Sequence, residues 1–269
     1  MQPDVRAVRM ASEGSILYGV VHDPRSTAKR GILMVAAGPD RIGTNRQFLL
    51  LARDWAADGI PVMRFDRQGQ GDSEGAGAFN FDSMMSDIRS AIDCFTSAVP
   101  GIERVVLWGL CDAGLNSLKY ARRDPRVDGL VLVNPQLDIT DHSAGSIRPN
   151  APGSIDKYLE LLSAFKGRSL VILSERDVIA TEFKANVMTT TAWERLVEDS
   201  KVAAMHLPNA DHSFTSKELR DQVSNWTADW IRSLRDPSWF SQVLGSLSRP
   251  QRWLTCRTRR QCRRGSPSR

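Results

Sequence analysis

Apolar positions recur along this chain with two periods that alternate for most of its length. Gly31–Ala36, Pro61–Phe65, Arg104–Leu107, Gly129–Val133, Ser169–Leu173 and Val202–Leu207 are short, largely apolar runs bounded by turn or polar residues, the pattern of strands buried on both faces. Between them lie segments with helical spacing. Gln47–Ala57 is stopped by Gly59; Phe81–Phe95 places Met84, Met85, Ile88, Ile92 and Phe95 on one face; Lys217–Leu234 does the same with Val223, Trp226, Trp230 and Leu234. At the N-terminus Val5–Met10 and Ile16–His22 form an antiparallel pair across Ser12-Glu13-Gly14. This succession predicts an α/β fold, a mainly parallel twisted sheet with helices on both faces. One interval departs from it. From Asn134 to Ile155 the chain turns polar and carries Pro135, Gly145, Pro149, Pro152 and Gly153, so an irregular insertion, about 135–165 in all, replaces the expected helix as a short cap.

A length of 269 residues fits one large domain, placed at 1–236, with a well-buried core. The net charge of +5 would point to an anionic polymer, but eight arginines and no acid lie from Arg249 onward, and without them the net charge is −3. The basicity therefore belongs to a tail, 237–269, too rich in Pro, Ser and Arg to offset its ordering entropy and expected to be disordered. No nucleic-acid partner follows from it. Met1-Gln2-Pro3-Asp4 opens no secretory leader and no apolar run reaches bilayer length, so the expected address is the cytoplasm, without an integral membrane segment. Cysteines at 94, 111, 256 and 262 have neither a zinc spacing nor a disulfide pattern, and neither metal nor cofactor is expected.

Chemistry is carried by Trp108-Gly109-Leu110-Cys111-Asp112-Ala113-Gly114, which follows Val105–Leu107 and leads into a helix-compatible segment ending near Arg122. It reads as strand, tight turn and helix, with Gly109 and Gly114 giving room on either side of Cys111. Reactive groups in an open parallel sheet collect at the carboxyl ends of strands. Two further post-strand loops answer: Ser174-Glu175-Arg176-Asp177, and Asn209-Ala210-Asp211-His212-Ser213-Phe214. The order is nucleophile Cys111, acid Asp177, base His212, which is the chain order of the α/β-hydrolase triad. Asp138, after the strand that follows the nucleophile, is the alternative acid. His22, His142 and His206 are read as ordinary structural or surface histidines.

From about residue 15 to 235 the chain thus resembles an α/β hydrolase, and Asp66-Arg67-Gln68-Gly69-Gln70-Gly71-Asp72-Ser73 is similar to the Asp-x-Arg-Gly-x-Gly-x-Ser loop common among them. More narrowly, Trp108-Gly-Leu-Cys111-Asp, with Ala37-Gly38-Pro39-Asp40-Arg41-Ile42-Gly43 and Arg46-Gln47-Phe48, resembles the exosortase A system-associated hydrolases, bacterial proteins placed with exopolysaccharide loci. The Cys-His-Asp order is read as that of a hydrolase acting on a small-molecule acyl substrate, a carboxylic ester, thioester or lactone, through a thioester acyl-enzyme; acyl transfer and a non-catalytic scaffold are the alternatives. It leaves the oligomeric state open. The region between Pro135 and Ser169 is short for a family that carries a helical cap there. The oxyanion hole is expected from the Asp112 N–H and a donor at Gly38 or Asp40, since Pro39 has no N–H. Arg41 and Arg46 are candidates to attract an anionic substrate. Asp112 would oppose ionisation of its neighbour, so Cys111 is expected to lose its proton to His212 as substrate binds.

Overall fold

The computed structural model describes residues 3–36, 40–75, 81–137 and 154–234. Its strands are β1 (Asp4–Ser12), β2 (Ser15–Asp23), β3 (Arg30–Val35), β4 (Val62–Phe65), β5 (Arg104–Leu110), β6 (Val127–Val133), β7 (Arg168–Ser174) and β8 (Val202–Leu207). The helices are α1 (Gln47–Ala57), α2 (Phe81–Ala98), α3 (Asp112–Ala121), α4 (Ser154–Ala164), α5 (Val178–Asn186), α6 (Thr191–Glu198) and α7 (Lys217–Ser233). Glu13 and Gly14 take φ of 46° and 84°, the two-residue turn whose twist suits a tight hairpin, and β1 pairs antiparallel with β2. β2 is antiparallel to β4, and all later pairings are parallel.

The single open sheet has the order β1-β2-β4-β3-β5-β6-β7-β8. The chain steps outward from β3 to β4, recrosses β3 to form β5, and then builds outward the other way. That reversal opens a crevice at the carboxyl ends of β3 and β5, the place where this class of sheet binds ligands.

Alternation along each inner strand divides the core into two layers. Val105 and Leu107 join Ile88, Ile92 and Phe95 of α2, Leu118 of α3 and Phe183 of α5 on one face. Val106 and Trp108 join Phe48, Leu51 and Trp55 of α1 and Trp230 of α7 on the other. There the Trp108 ring meets Phe48 edge-on at 5.5 Å and Trp55 at 5.9 Å. The Trp55 indole also donates to the Ser224 carbonyl at 3.0 Å, tying α1 to α7.

Two differences from the expected boundaries bear on the site. β5 continues three residues past Leu107, because Trp108 and Leu110 stay paired with Val131 and Val133 and both remain buried. The turn is thereby reduced to one residue. α4 begins at Ser154, where the polar interval was expected to persist. Gly38, Asp138, His142, most of the insertion and the basic tail lie outside the described residues. Among the described residues no helix is long and apolar enough to cross a membrane.

Candidate active site

Cys111 stands alone between the last residue of β5 and the first of α3, with φ 60° and ψ −125°. An L residue holds such a conformation only when its surroundings impose it, at a cost of about 1–3 kcal/mol. Here the Cys111 N–H donates to the Val133 carbonyl at 2.9 Å, and its own carbonyl accepts from Gly114 at 3.1 Å and from Gln136 at 3.3 Å. Gly109 makes the bend sterically possible: a Cβ there would lie 2.7 Å from the Ala113 carbonyl group and the Gly114 nitrogen. The same test at Gly114 meets nothing nearer than 3.3 Å, so the stricter requirement falls on Gly109.

Asp177 follows β7 and is the N-cap of α5; its carboxylate accepts from the N–H groups of Ile179 and Ala180 at 3.2 and 3.4 Å. Satisfying two helix-end donors fixes the rotamer. The oxygen on Ala180, Oδ2, also sits 3.0 Å from His212 Nδ1. His212 rides on the loop after β8, held at its carbonyl by Asn134 Nδ2 at 2.9 Å and at neighbouring Ala210 by the Arg176 N–H at 2.9 Å. The Asp211 side chain closes that loop on Thr215. Asp177 is buried, whereas the His212 side chain is 37% exposed and so reachable from solvent.

The proton affinity of His212 is pushed up to about 10, by hydrogen bonding first to Asp177 and then to the Cys111 sulfur, against the opposing effect of burial. Of the three residues proposed from sequence, Asp177 and His212 are in direct contact, and Cys111 adds to the imidazole's proton affinity. A second electrostatic element bears on Asp112, whose carboxylate accepts from the Ala113 N–H at 2.9 Å. Arg67 is held below its ordinary proton affinity by burial, offset by the charges of Asp112 and Asp87. The negative charge of Asp112 is thus partly balanced by the Arg67 guanidinium.

The loop after β3 is shaped by Asp66. Its carboxylate accepts from the Arg41 N–H at 2.5 Å and the Asp72 N–H at 3.1 Å, and it pairs with the Arg41 guanidinium. Gly71, at φ 52°, leaves the space: a Cβ there would lie 2.2 Å from Asp66 Oδ2. Arg41 also binds the exposed Asp72 at 2.7 Å, so its charge is engaged by two carboxylates of the protein itself. Asp40 turns its side chain under the loop, accepting from Ile42 and Gly43 at 2.7 and 3.0 Å. Arg46 is exposed at the start of α1, with φ 61°.

Two residues in the segment after β6 belong to this site and are not singled out by sequence reasoning. Asn134 is fully buried at φ 44°; Nδ2 donates to Ser174 Oγ at 3.0 Å and to the His212 carbonyl, while Oδ1 accepts from the Ser174 N–H at 2.7 Å. Gln136 reaches Cys111 with both its backbone and its side chain. A polar residue directly after an apolar strand was the available signal, hidden here by the prolines of the insertion. His22 is buried against Arg64 and its proton affinity is lowered to about 4, first by burial and then by Arg64 and Arg53. Among the described residues no cluster of three or more His, Cys, Asp or Glu could hold a metal ion.

Comparison with solved structures places this arrangement in a known architecture. An esterase from Pyrococcus furiosus superposes with a TM-score of 0.68 at 15% identity, over 87% of this chain and 91% of that one. A putative α/β hydrolase from Agrobacterium tumefaciens gives 0.59 at 20% identity, over 90% and 98%. An α/β serine hydrolase without lid from Xanthomonas campestris gives 0.58 at 19% identity, over 84% and 95%. At these identities the likeness speaks for the fold alone. The comparison with curated proteins gives no match. The family model described as serine aminopeptidase, S33, matches residues 28–207, from just before β3 to the end of β8. Fold, strand order and family match agree, and the chain belongs to this family of α/β hydrolases.

Proposed function

We propose that the protein hydrolyses a carboxylic ester, thioester or lactone through Cys111, His212 and Asp177, with a thioester acyl-enzyme as intermediate. The observation that carries this reading is one imidazole held at Nδ1 by a helix-capping Asp177, its proton affinity raised by that carboxylate and by the sulfur of a cysteine in a strained strand-to-helix turn. Asp177 fixes the ring orientation and stabilises its cation. The sulfur, having passed its proton to the free ring nitrogen, attacks the acyl carbon, and the carbonyl π electrons move to oxygen. The Asp112 N–H, at the positive end of α3, and a donor at Gly38 or Asp40 receive that oxyanion. Its collapse expels the alcohol or thiol, which takes the proton from His212; water, deprotonated by His212, then releases the acid. A substrate from bacterial exopolysaccharide metabolism is the further part of this proposal, supported by the resemblance of Trp108-Gly-Leu-Cys111-Asp to the exosortase A system-associated hydrolases.

The test is a panel of p-nitrophenyl esters, acyl thioesters and lactones, with intact-protein mass spectrometry during turnover. The expected result is a covalent acyl adduct on the Cys111 peptide that is lost in Cys111→Ala, with free acid as product. Undiminished turnover in Cys111→Ala would overturn the assignment. Product formed only when an amine or alcohol acceptor is added would convert the reading to acyl transfer.

A further inference from the structure

Gln136 is attached to Cys111 at two points. Its backbone N–H donates to the Cys111 carbonyl at 3.3 Å, and its side-chain Oε1 accepts from Cys111 Sγ at 3.6 Å. Pro135, with its fixed φ, precedes it, and Asn134 before that is locked between Ser174 and the His212 carbonyl. Three consecutive residues therefore bridge the histidine loop to the cysteine turn. The amide is thus held against the sulfur by its own backbone, which reduces the entropy lost in keeping it there.

A sulfur that alternates between thiol and thiolate makes opposite demands on a neighbour: the S–H donates, the S⁻ accepts. A carboxylate meets only the first and an ammonium only the second. A carboxamide meets both, because a half-turn about its last torsion exchanges Oε1 for Nε2. It does so without adding charge to a site that already holds Asp112 and Asp177. Resting on the Cys-His-Asp reading above, we infer that Gln136 is a further catalytic residue, whose amide holds the Cys111 sulfur in one rotamer in both protonation states. The proton itself travels only between sulfur and His212; Gln136 gives up no atom and forms no bond beyond its hydrogen bonds.

The test is the rate of iodoacetamide alkylation at Cys111, followed on its own tryptic peptide so that Cys94 and the tail cysteines do not contribute, from pH 5 to 10. The full-length parent is compared with Gln136→Glu, Gln136→Leu, Gln136→Asn and His212→Ala, each with a melting curve. Gln136→Glu, which can accept but not donate and opposes the thiolate, is expected to move the profile upward by about one pH unit, roughly a tenfold slowing at neutral pH. Gln136→Leu, with no polar edge, and Gln136→Asn, one methylene too short to reach, are expected between parent and Glu. A Glu profile that coincides with the parent's, or an Asn variant that alkylates as the parent does, would overturn the inference. Should Gln136→Glu fail to fold, Leu and Asn variants indistinguishable from the parent would do so. The His212→Ala profile tests the reading beneath it separately: if unmoved, the triad assignment fails, while a shift confined to the Gln136 variants still supports the sulfur contact.

Discussion

At the scale of single residues the chemistry depends on how firmly three side chains are held, and Asp177 is the firmest of them. Asp177→Asn leaves the cap position occupied but removes the charge that raises His212, so the ring's titration is expected to fall from about 10 toward the ordinary 6.5. NMR of the His212 ring protons measures this directly, and a titration left near 10 would show that another group supplies the charge. The same variant is expected to cost turnover by about 10⁴, as in serine triads. A larger loss in Asp138→Asn would transfer the acid role to that residue. Asn134 gives a different signal. Removing its amide in Asn134→Ala strands the buried Ser174 N–H and the His212 carbonyl, at about 1–3 kcal/mol each, readable as a lowered denaturation midpoint together with reduced kcat at unchanged KM. Neither Asn134 nor Gln136 was legible in the sequence as a site residue, because their partners lie 40, 78 and 25 positions away and are brought near only by parallel pairing. Cys111, Asp177 and His212 could be proposed from sequence because each lies in the segment following a strand, and those segments converge in this class of sheet.

Elements were legible to the degree that their periodicity was local. The hairpin announced itself through Glu13-Gly14, and α2 through its apolar stripe. The end of β5 did not, since whether Trp108 and Leu110 belong to strand or turn is decided by their pairing with β6. Nor could sequence say that Arg41 is spent on Asp66 and Asp72, partners 25 and 31 positions on. The turn between β5 and α3 yields a prediction of its own: Gly109→Ala drives a methyl into the Ala113 backbone, so the bend must open. Activity is expected to be lost together with stability, whereas Gly114→Ala, with more space, is expected to keep most of both. Equal tolerance of the two variants, by thermal melt and ester turnover, would contradict this steric account. Beneath the turn, Trp55→Ala empties the space shared by Phe48 and Trp108 and is expected to cost about 3–5 kcal/mol in a denaturant titration.

For the molecule as a whole, His22 sets an acid limit. Buried neutral beside Arg64, it takes up a proton near pH 4 when folded but near 6.5 when unfolded. As pH falls from 6.5 toward 4 the unfolded chain binds a proton that the folded chain refuses, so this contribution is complete above 6.5 and lost below it, amounting to about 3 kcal/mol. Urea titrations across that range are expected to show the decline, and His22→Gln to flatten it; equal slopes would locate the acid sensitivity elsewhere. The reversal of strand order at β3 has a wider consequence. The proposed cysteine, acid and histidine all hang from β5 to β8, on one flank of the crevice, while the loop from 40 to 46 stands on the other, braced by Asp66. The proposed triad and the loop facing it across the crevice are thereby carried by different halves of the sheet. On the proposed reading, a graft of residues 42–46 from another member of the family, with Asp40, Arg41 and Asp66 retained, is expected to change which acyl group is accepted while leaving Cys111, Asp177 and His212 in place, and a lineage exploring new substrates would find that half of the crevice the cheaper one to vary.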